Sequence, residues 1–152
     1  MCKIYLFIGQ PGSGKTTLAN LLKTHLDSER IIHIDGDDIR EIFNNKNYSE
    51  EGRRLNVQRA YDIATFLNKS LSNNKYTVII SLVSPFIDQR EILKQNKNVI
   101  EIYVHTTDMR GKEHYHVDYF QKPIENFIDI DTTQKTEIKS LEEIISNDLF
   151  LY

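Results

Sequence analysis

Residues 9–16 read GQPGSGKT, and the fold turns on them. An apolar run, Ile4 to Ile8, leads into Gly9, and an amphipathic run, Lys15 to Leu26, leads out. The spacing is G-x-x-x-x-G-K-[ST] set between a strand and a helix. Glycines at these places let backbone N–H groups turn inward around a phosphate, and the helix N-terminus adds its partial positive charge. Lys15 can bridge the outer phosphates and the Thr16 hydroxyl can ligate magnesium. The plain alternative is a glycine-rich turn that binds nothing, but a chance match rarely falls in the required strand and helix setting.

Outward from that loop, short runs rich in β-branched residues alternate with amphipathic segments. Ile4 to Ile8, Ile31 to Ile34, Tyr76 to Leu82, Val99 to Val104 and Phe127 to Ile130 read as strands. Lys15 to Leu26, Asp38 to Asn44, Glu50 to Ser70, Ile87 to Lys94 and Thr136 to Ser146 read as helices. Strand followed by helix, repeated, predicts an α/β parallel sheet with helices on both faces, and such sheets place ligands beyond the carboxyl ends of their strands. Function is therefore expected from Gly9, Asp35, Leu82 and Val104 onward.

The 152 residues suit about one domain, and a 39% hydrophobic content is enough for a single core. The net charge of −3, with basic residues spread along the chain, argues against a nucleic acid partner. One cysteine, Cys2, excludes an internal disulfide. No apolar run approaches the roughly 18 residues of a membrane helix, and the N-terminus lacks signal-peptide features, so a cytoplasmic protein without membrane contact is expected.

The second strand ends in IDGDDIR, residues 34–40, three carboxylates within four residues. Like charges this close need a counter-charge. A strand ending there would set Asp35 and Asp37 beside the phosphate loop, where metal and transferred phosphoryl group sit. One carboxylate can bind metal-coordinated water while the other accepts a proton from a substrate hydroxyl. Asp37 or Asp38 also suits the cap of the next helix. Arg40, about one turn after Asp37, can hold an anionic substrate bidentately.

Four ordered segments resemble the adenylyl-sulfate kinases, which use ATP to phosphorylate the ribose 3′-hydroxyl of adenosine 5′-phosphosulfate. The family's GxxGSGKTTLA is matched by Gly9 to Ala19, and its D-G-D-x-[IV]-R by Asp35 to Arg40. Its F-S-x-E-D-R-x-x-N-x-x-R appears as Tyr48, Ser49, Glu51, Gly52, Arg53, Asn56 and Arg59, with tyrosine for phenylalanine and glycine for aspartate. Its I-S-P-[YH]-x-x-x-R appears as Val83, Ser84, Pro85, Phe86 and Arg90. The resemblance implies a P-loop NTPase three-layer sandwich with a five-stranded parallel sheet, and ATP and Mg2+ as cofactors. It implies ATP binding by Gly9, Gly12, Ser13, Gly14, Lys15, Thr16 and Thr17. Asp35 is implied as general base; Thr16 and Asp37 as the metal shell, Asp37 through water. Acceptor binding falls to Arg40, Arg53, Asn56, Ser84 and Arg110, with Tyr48 stacked on the base. Duller readings accompany these: Arg53, Arg54 and Arg59 as a solvated helix face, Tyr48 as a loop closure, Ser84-Pro85 as a strand terminator.

The chain departs from the family where a long basic lid, R-D-P-K-G-L-Y-K-K-A-R, is expected. Residues 106–122 are an abbreviated lid, in which Arg110 and Lys112 supply positive charge and Tyr115 or Phe120 can stack on a base. His114 and His116 read as solvent-facing loop histidines rather than a metal pair. The expectation is one kinase domain over residues 1–152, acting on a small-molecule nucleotide, with a homodimer admitted. Cytidine diphosphoramidate is the alternative acceptor, and a nucleotide-binding module that has lost catalysis is the reading from another class.

Overall fold

The computed structural model describes residues 2–26, 30–71, 76–108 and 111–150. Five strands, β1 (Lys3–Ile8), β2 (Ile31–Asp35), β3 (Thr77–Ser81), β4 (Val99–His105) and β5 (Phe127–Asp131), form one parallel sheet in the order β2-β3-β1-β4-β5. Helices α1 (Lys15–Leu26), α2 (Gly36–Ile42), α3 (Glu50–Ser70), α4 (Ile87–Lys94) and α5 (Glu137–Phe150) complete the three layers. The expected sandwich with a five-stranded parallel sheet is the observed one.

β1 lies at the centre of the sheet, which explains its unbroken apolar sequence. Its side chains alternate: Ile4, Leu6 and Ile8 face α2, α3 and α4 through Ile39, Val57, Ala60, Ala64 and Leu93. Tyr5 and Phe7 face α1 and α5 through Leu18, Leu22 and Ile144. Burying one such aliphatic side chain stabilises the fold by about 1.5–3 kcal/mol, so the two-sided central strand fixes both layers at once. No helix among the described residues is long and apolar enough to cross a membrane.

The predicted start of α2 at Asp38 is corrected to Gly36, because Asp35, rather than Asp37 or Asp38, caps the helix. Its Oδ1 accepts the Asp37 N–H at 3.0 Å, so the strand passes into helix with no intervening loop. α3 begins as the sequence indicates: the Ser49 hydroxyl accepts the Gly52 N–H at 3.2 Å, and Glu50 and Glu51 occupy the positive first turn.

A buried ion cluster ties α4 to the sheet. Arg90 is fully buried, and its Nε lies 2.8 Å from Glu101 Oε1 on β4, close in distance but off hydrogen-bond alignment, so the attraction is charge on charge. Lys94 Nζ lies 2.6 Å from the other oxygen of Glu101. Arg90 also donates to the Ser84 and Gln121 carbonyls. This arginine therefore holds the loop after β3 and the return of the lid to the core. Removing the carboxylate leaves the buried Arg90 without its charge partner and Lys94, among the described residues, with Glu91 alone, and breaking a buried pair typically costs about 3–5 kcal/mol. Glu101→Gln is expected to lose stability on that scale in urea unfolding, and a loss under about 1 kcal/mol would contradict the role assigned to the cluster.

Candidate active site

The loop between β1 and α1 is shaped by its neighbours. A Cβ on Gly9 would stand 2.1 Å from the Val104 carbonyl oxygen, so the loop can press against β4 only without a side chain. Gly12 and Gly14 hold φ values of +83° and +104°, which turn the backbone of the cradle. The Thr132 hydroxyl donates to the Ser13 carbonyl at 2.9 Å and ties the cradle to the end of β5. Ser13 is buried; Thr17 is exposed on the first turn of α1 and stays off the cavity wall.

Lys15 is 8% exposed, and its ammonium donates to the Gln10 carbonyl at 2.7 Å. Burial pulls its pKa down to about 8, opposed by Asp35 and Asp37 and aided by Lys112. The Thr16 hydroxyl donates to Asp35 Oδ2 at 3.1 Å, and the Ser81 hydroxyl donates to the same oxygen at 2.8 Å. Both oxygens of Asp35 are thus engaged, Oδ1 by its own helix. Asp37, exposed on the first turn of α2, lines the cavity, and among the described residues its carboxylate accepts no hydrogen bond. Asp38 does not line the cavity.

A cavity of about 550 Å³ runs from Gly12, Lys15 and Thr16 past Asp35 and Asp37 to a second wall formed by Arg40, Tyr48, Arg53, Asn56 and the 82–85 loop. Five of the expected acceptor-binding residues, Arg40, Tyr48, Arg53, Asn56 and Ser84, therefore share one wall. Their states differ. Arg40 donates through one nitrogen to the Asn45 and Asn47 carbonyls, at 3.1 and 2.9 Å, and its guanidinium lies 4.0 Å from the centre of the Tyr48 ring. Arg53 lies 5.6 Å from that ring, and Tyr48 remains 60% exposed. Asn56 is buried and donates to the Gly36 carbonyl.

Ser84 is held in place by its neighbours in the fold. The residue lines the cavity, but its hydroxyl is paired with the buried Tyr61 hydroxyl, and its carbonyl with Arg90. Arg54 and Arg59 stay off the cavity, over the rings of Phe86 and Phe43. Arg110 lies outside the described residues.

The segment after β4 borders the cavity with Lys112, His114, Tyr115 and His116, two of them within a short 3-10 turn, Glu113–Tyr115, and two at its ends. Both histidines are exposed, as expected of loop histidines, yet both stand on the cavity wall. Phe120 packs on Tyr103 at 5.8 Å and Arg90 at 5.6 Å, so it belongs to the core rather than to a bound base. Gln10 anchors the lid: its amide donates to the Val117 carbonyl and accepts the Val117 N–H, both at 2.8 Å. Gln10, Ser81 and His33 are the site residues missed from the sequence. Their signal was a polar side chain inside an otherwise apolar strand or a glycine-rich loop.

Thr16 and Asp35 present oxygen donors side by side, and oxygen ligands with one or two carboxylates fit magnesium. Among the described residues no group of three or more His, Cys, Asp or Glu is placed to hold a metal.

A phosphate cradle, a buried lysine, a hydroxyl joined to a strand-end carboxylate and a facing basic wall make up a P-loop phosphate-binding site. The adenylylsulphate kinase family model matches residues 1–131. This chain belongs to that family. A probable adenylyl-sulfate kinase of Pseudomonas aeruginosa is 35% identical over 102 residues, covering 64% of this chain and 46% of its own length. The chain thus spans about half the length of that relative. The cytidine diphosphoramidate kinase of Campylobacter jejuni is 32% identical over 130 residues, covering 81% of this chain and 74% of its own. In fold, the Mycobacterium tuberculosis APS kinase in complex with AMPPNP and APS superposes with a TM-score of 0.78 at 20% identity, covering 95% of this chain and 96% of that one.

Lys15 sets a pH dependence. Bound phosphates favour the ammonium, so below pH about 8 nucleotide binds a lysine already charged, and above it binding takes up a proton. Affinity for AMPPNP is expected to stay flat up to that pH and then fall towards about tenfold per unit. Calorimetry across the range checks this; an affinity unchanged to about pH 10 would contradict it.

Proposed function

We propose that the chain is an ATP-dependent kinase that phosphorylates the ribose 3′-hydroxyl of a nucleotide, with adenosine 5′-phosphosulfate as acceptor. The observation that carries this reading is the single cavity shared by the phosphate-side residues, Lys15, Thr16, Asp35 and Asp37, and the acceptor-side residues, Arg40, Tyr48, Arg53 and Asn56. The adenylyl-sulfate kinases among the relatives support it. Residues 1–152 then form one kinase domain with 106–122 as its lid, and use of ATP goes with a cytoplasmic location.

The two acids take separate roles. Asp35 accepts three hydrogen bonds, including one from the Thr16 hydroxyl, so both of its oxygens are committed, whereas the Asp37 carboxylate faces the cavity with none among the described residues. We therefore place Asp35 with Thr16 at the magnesium position and give the base to Asp37, the reverse of the roles implied by resemblance. Magnesium, when bound, neutralises charge on the β- and γ-phosphates. Asp37 takes the proton from the acceptor hydroxyl; the hydroxyl oxygen forms the new bond to the γ-phosphorus as the bond to ADP breaks. Lys15 stabilises the charge on the outer phosphates, worth more in its buried setting than in water. A module without catalysis would have no need of this set.

A second acceptor reading, cytidine diphosphoramidate, has its own support. The Campylobacter kinase aligns over more of this chain than the adenylyl-sulfate kinase of Pseudomonas aeruginosa does. The lid also sets Lys112, His114 and His116 on the cavity where the family pattern has a run of basic residues. Sulfate only accepts hydrogen bonds, whereas an amide group also donates, and a neutral imidazole can accept.

Incubation with ATP, magnesium and each acceptor, with products read by phosphorus NMR, decides between them. The expected product is the 3′-phosphorylated adenosine phosphosulfate, absent with Lys15→Ala. Turnover confined to cytidine diphosphoramidate would transfer the function to the second reading, and no acceptor-dependent turnover would overturn both.

A further inference from the structure

The reaction leaves one hydrogen-bond chain unexplained. His33 Nε2 lies 2.7 Å from the Ser81 hydroxyl oxygen, which lies 2.8 Å from Asp35 Oδ2, which lies 3.1 Å from the Thr16 hydroxyl. We propose that His33 is a positioning residue, which acts through Ser81 to hold the Asp35 carboxylate against Thr16. The inference rests on the reading of Asp35 and Thr16 as the magnesium position and deepens it.

Register assembles the chain. β2 and β3 pair in parallel with Asp35 opposite Ser81, and His33, two residues before Asp35, points to the same face of its strand. Proton parity gives the chain its direction. An ionised carboxylate only accepts, so of the two groups touching Ser81 the carboxylate must receive the hydroxyl proton. The Ser81 oxygen then has only lone pairs left for His33, and Nε2 must carry a proton. The alternative, Ser81 donating to His33, would set the Ser81 and Asp35 oxygens 2.8 Å apart with no proton between them. Direction therefore runs from His33 to Ser81 to Asp35.

The arrangement restrains the acid. Asp35 is the last residue of an edge strand and the cap of α2, and its Oδ1 is already bonded to the Asp37 N–H. Fixing Oδ2 from Ser81 removes the remaining freedom about its side chain. Ser81 is 2% exposed, and its hydroxyl would otherwise rotate between partners; a donor on its far side settles it. Groups behind a metal ligand in this way commonly change metal affinity or activity by about 10–100-fold. A half-buried histidine merely satisfied by the nearest hydroxyl would have no such effect.

The test is binding, not turnover, so it does not depend on the acceptor. AMPPNP affinity is measured by calorimetry with and without magnesium for wild type, His33→Phe, His33→Gln, Ser81→Ala and the His33→Phe/Ser81→Ala double variant. The magnesium-dependent gain in affinity is expected to shrink about tenfold in His33→Phe and in Ser81→Ala. The double variant should lose no more than the worse single one, since both break one chain. His33→Gln, whose amide can donate from the place of Nε2, should recover most of the loss, while magnesium-free affinity stays as in wild type. Wild-type gain in His33→Phe, or additive losses in the double variant, would overturn the proposal. So would a nitrogen-15 NMR spectrum of the wild type showing His33 Nε2 unprotonated, a result that does not depend on any variant folding. Absence of magnesium-dependent binding in the wild type would instead overturn the reading of the metal position, and the relay with it.

Discussion

Thr16 and Asp35 meet at 3.1 Å, and that contact joins the start of the first helix to the end of the second strand. It exists because β3 lies between β1 and β2, so that the two strand ends open onto one crevice. The central strand, buried on both faces, fixes the level of the phosphate loop; the register of β2 with β3 fixes the level of the acid. Slipping β2 by one residue would turn Asp35 to the opposite face. A sheet packed on both sides resists that slip, so the core supplies the positional accuracy of the site.

The basic wall facing the cradle is built differently, from a loop pressed onto a helix. At position 52 the family pattern has aspartate and this chain has glycine. A Cβ there would stand 2.1 Å from the Asn47 carbonyl oxygen. The 45–49 loop uses the space: Asn45 donates to the Gly52 carbonyl, Arg40 donates to two loop carbonyls, and Tyr48 lies over Arg40. One substitution thus goes together with a close-packed loop that carries the aromatic of the wall. Arg40 in this state is committed to the loop through one of its nitrogens. The lid is held at the opposite end by Gln10 within the phosphate loop itself. The segment held by Gln10 and the basic wall therefore approach the cradle from two directions, each through hydrogen bonds that the motif patterns do not specify.

What could be read from the sequence follows from the range of each signal. The loop at 9–16, the parallel sheet and the helices α1, α3 and α4 depend on local patterns, and the chain states them directly. The start of α2 lies earlier than the pattern indicates because three acids within four residues all suit a cap, and only the strand end decides which one is used. The partners of Ser84 are hidden from the sequence for a related reason. Its motif fixes the turn, while Tyr61, a distant residue on α3, takes its hydroxyl. Arg90 looked like one motif residue among several, and only the sheet shows that it is buried with Glu101. His33 and Ser81 lie 48 residues apart, and nothing local to either announces the other.

The central claim is that Asp35 and Asp37, two residues apart, divide metal placement from proton transfer. Turnover and magnesium-dependent AMPPNP affinity, measured together for Asp35→Asn and Asp37→Asn, test it most directly. The account predicts that Asp37→Asn keeps the magnesium-dependent affinity and loses about 10²–10⁴ in kcat, the usual worth of a positioned base, whereas Asp35→Asn loses the affinity itself. If Asp37→Asn turns over at the wild-type rate while Asp35→Asn binds magnesium and nucleotide normally but is inactive, the division of roles is contradicted.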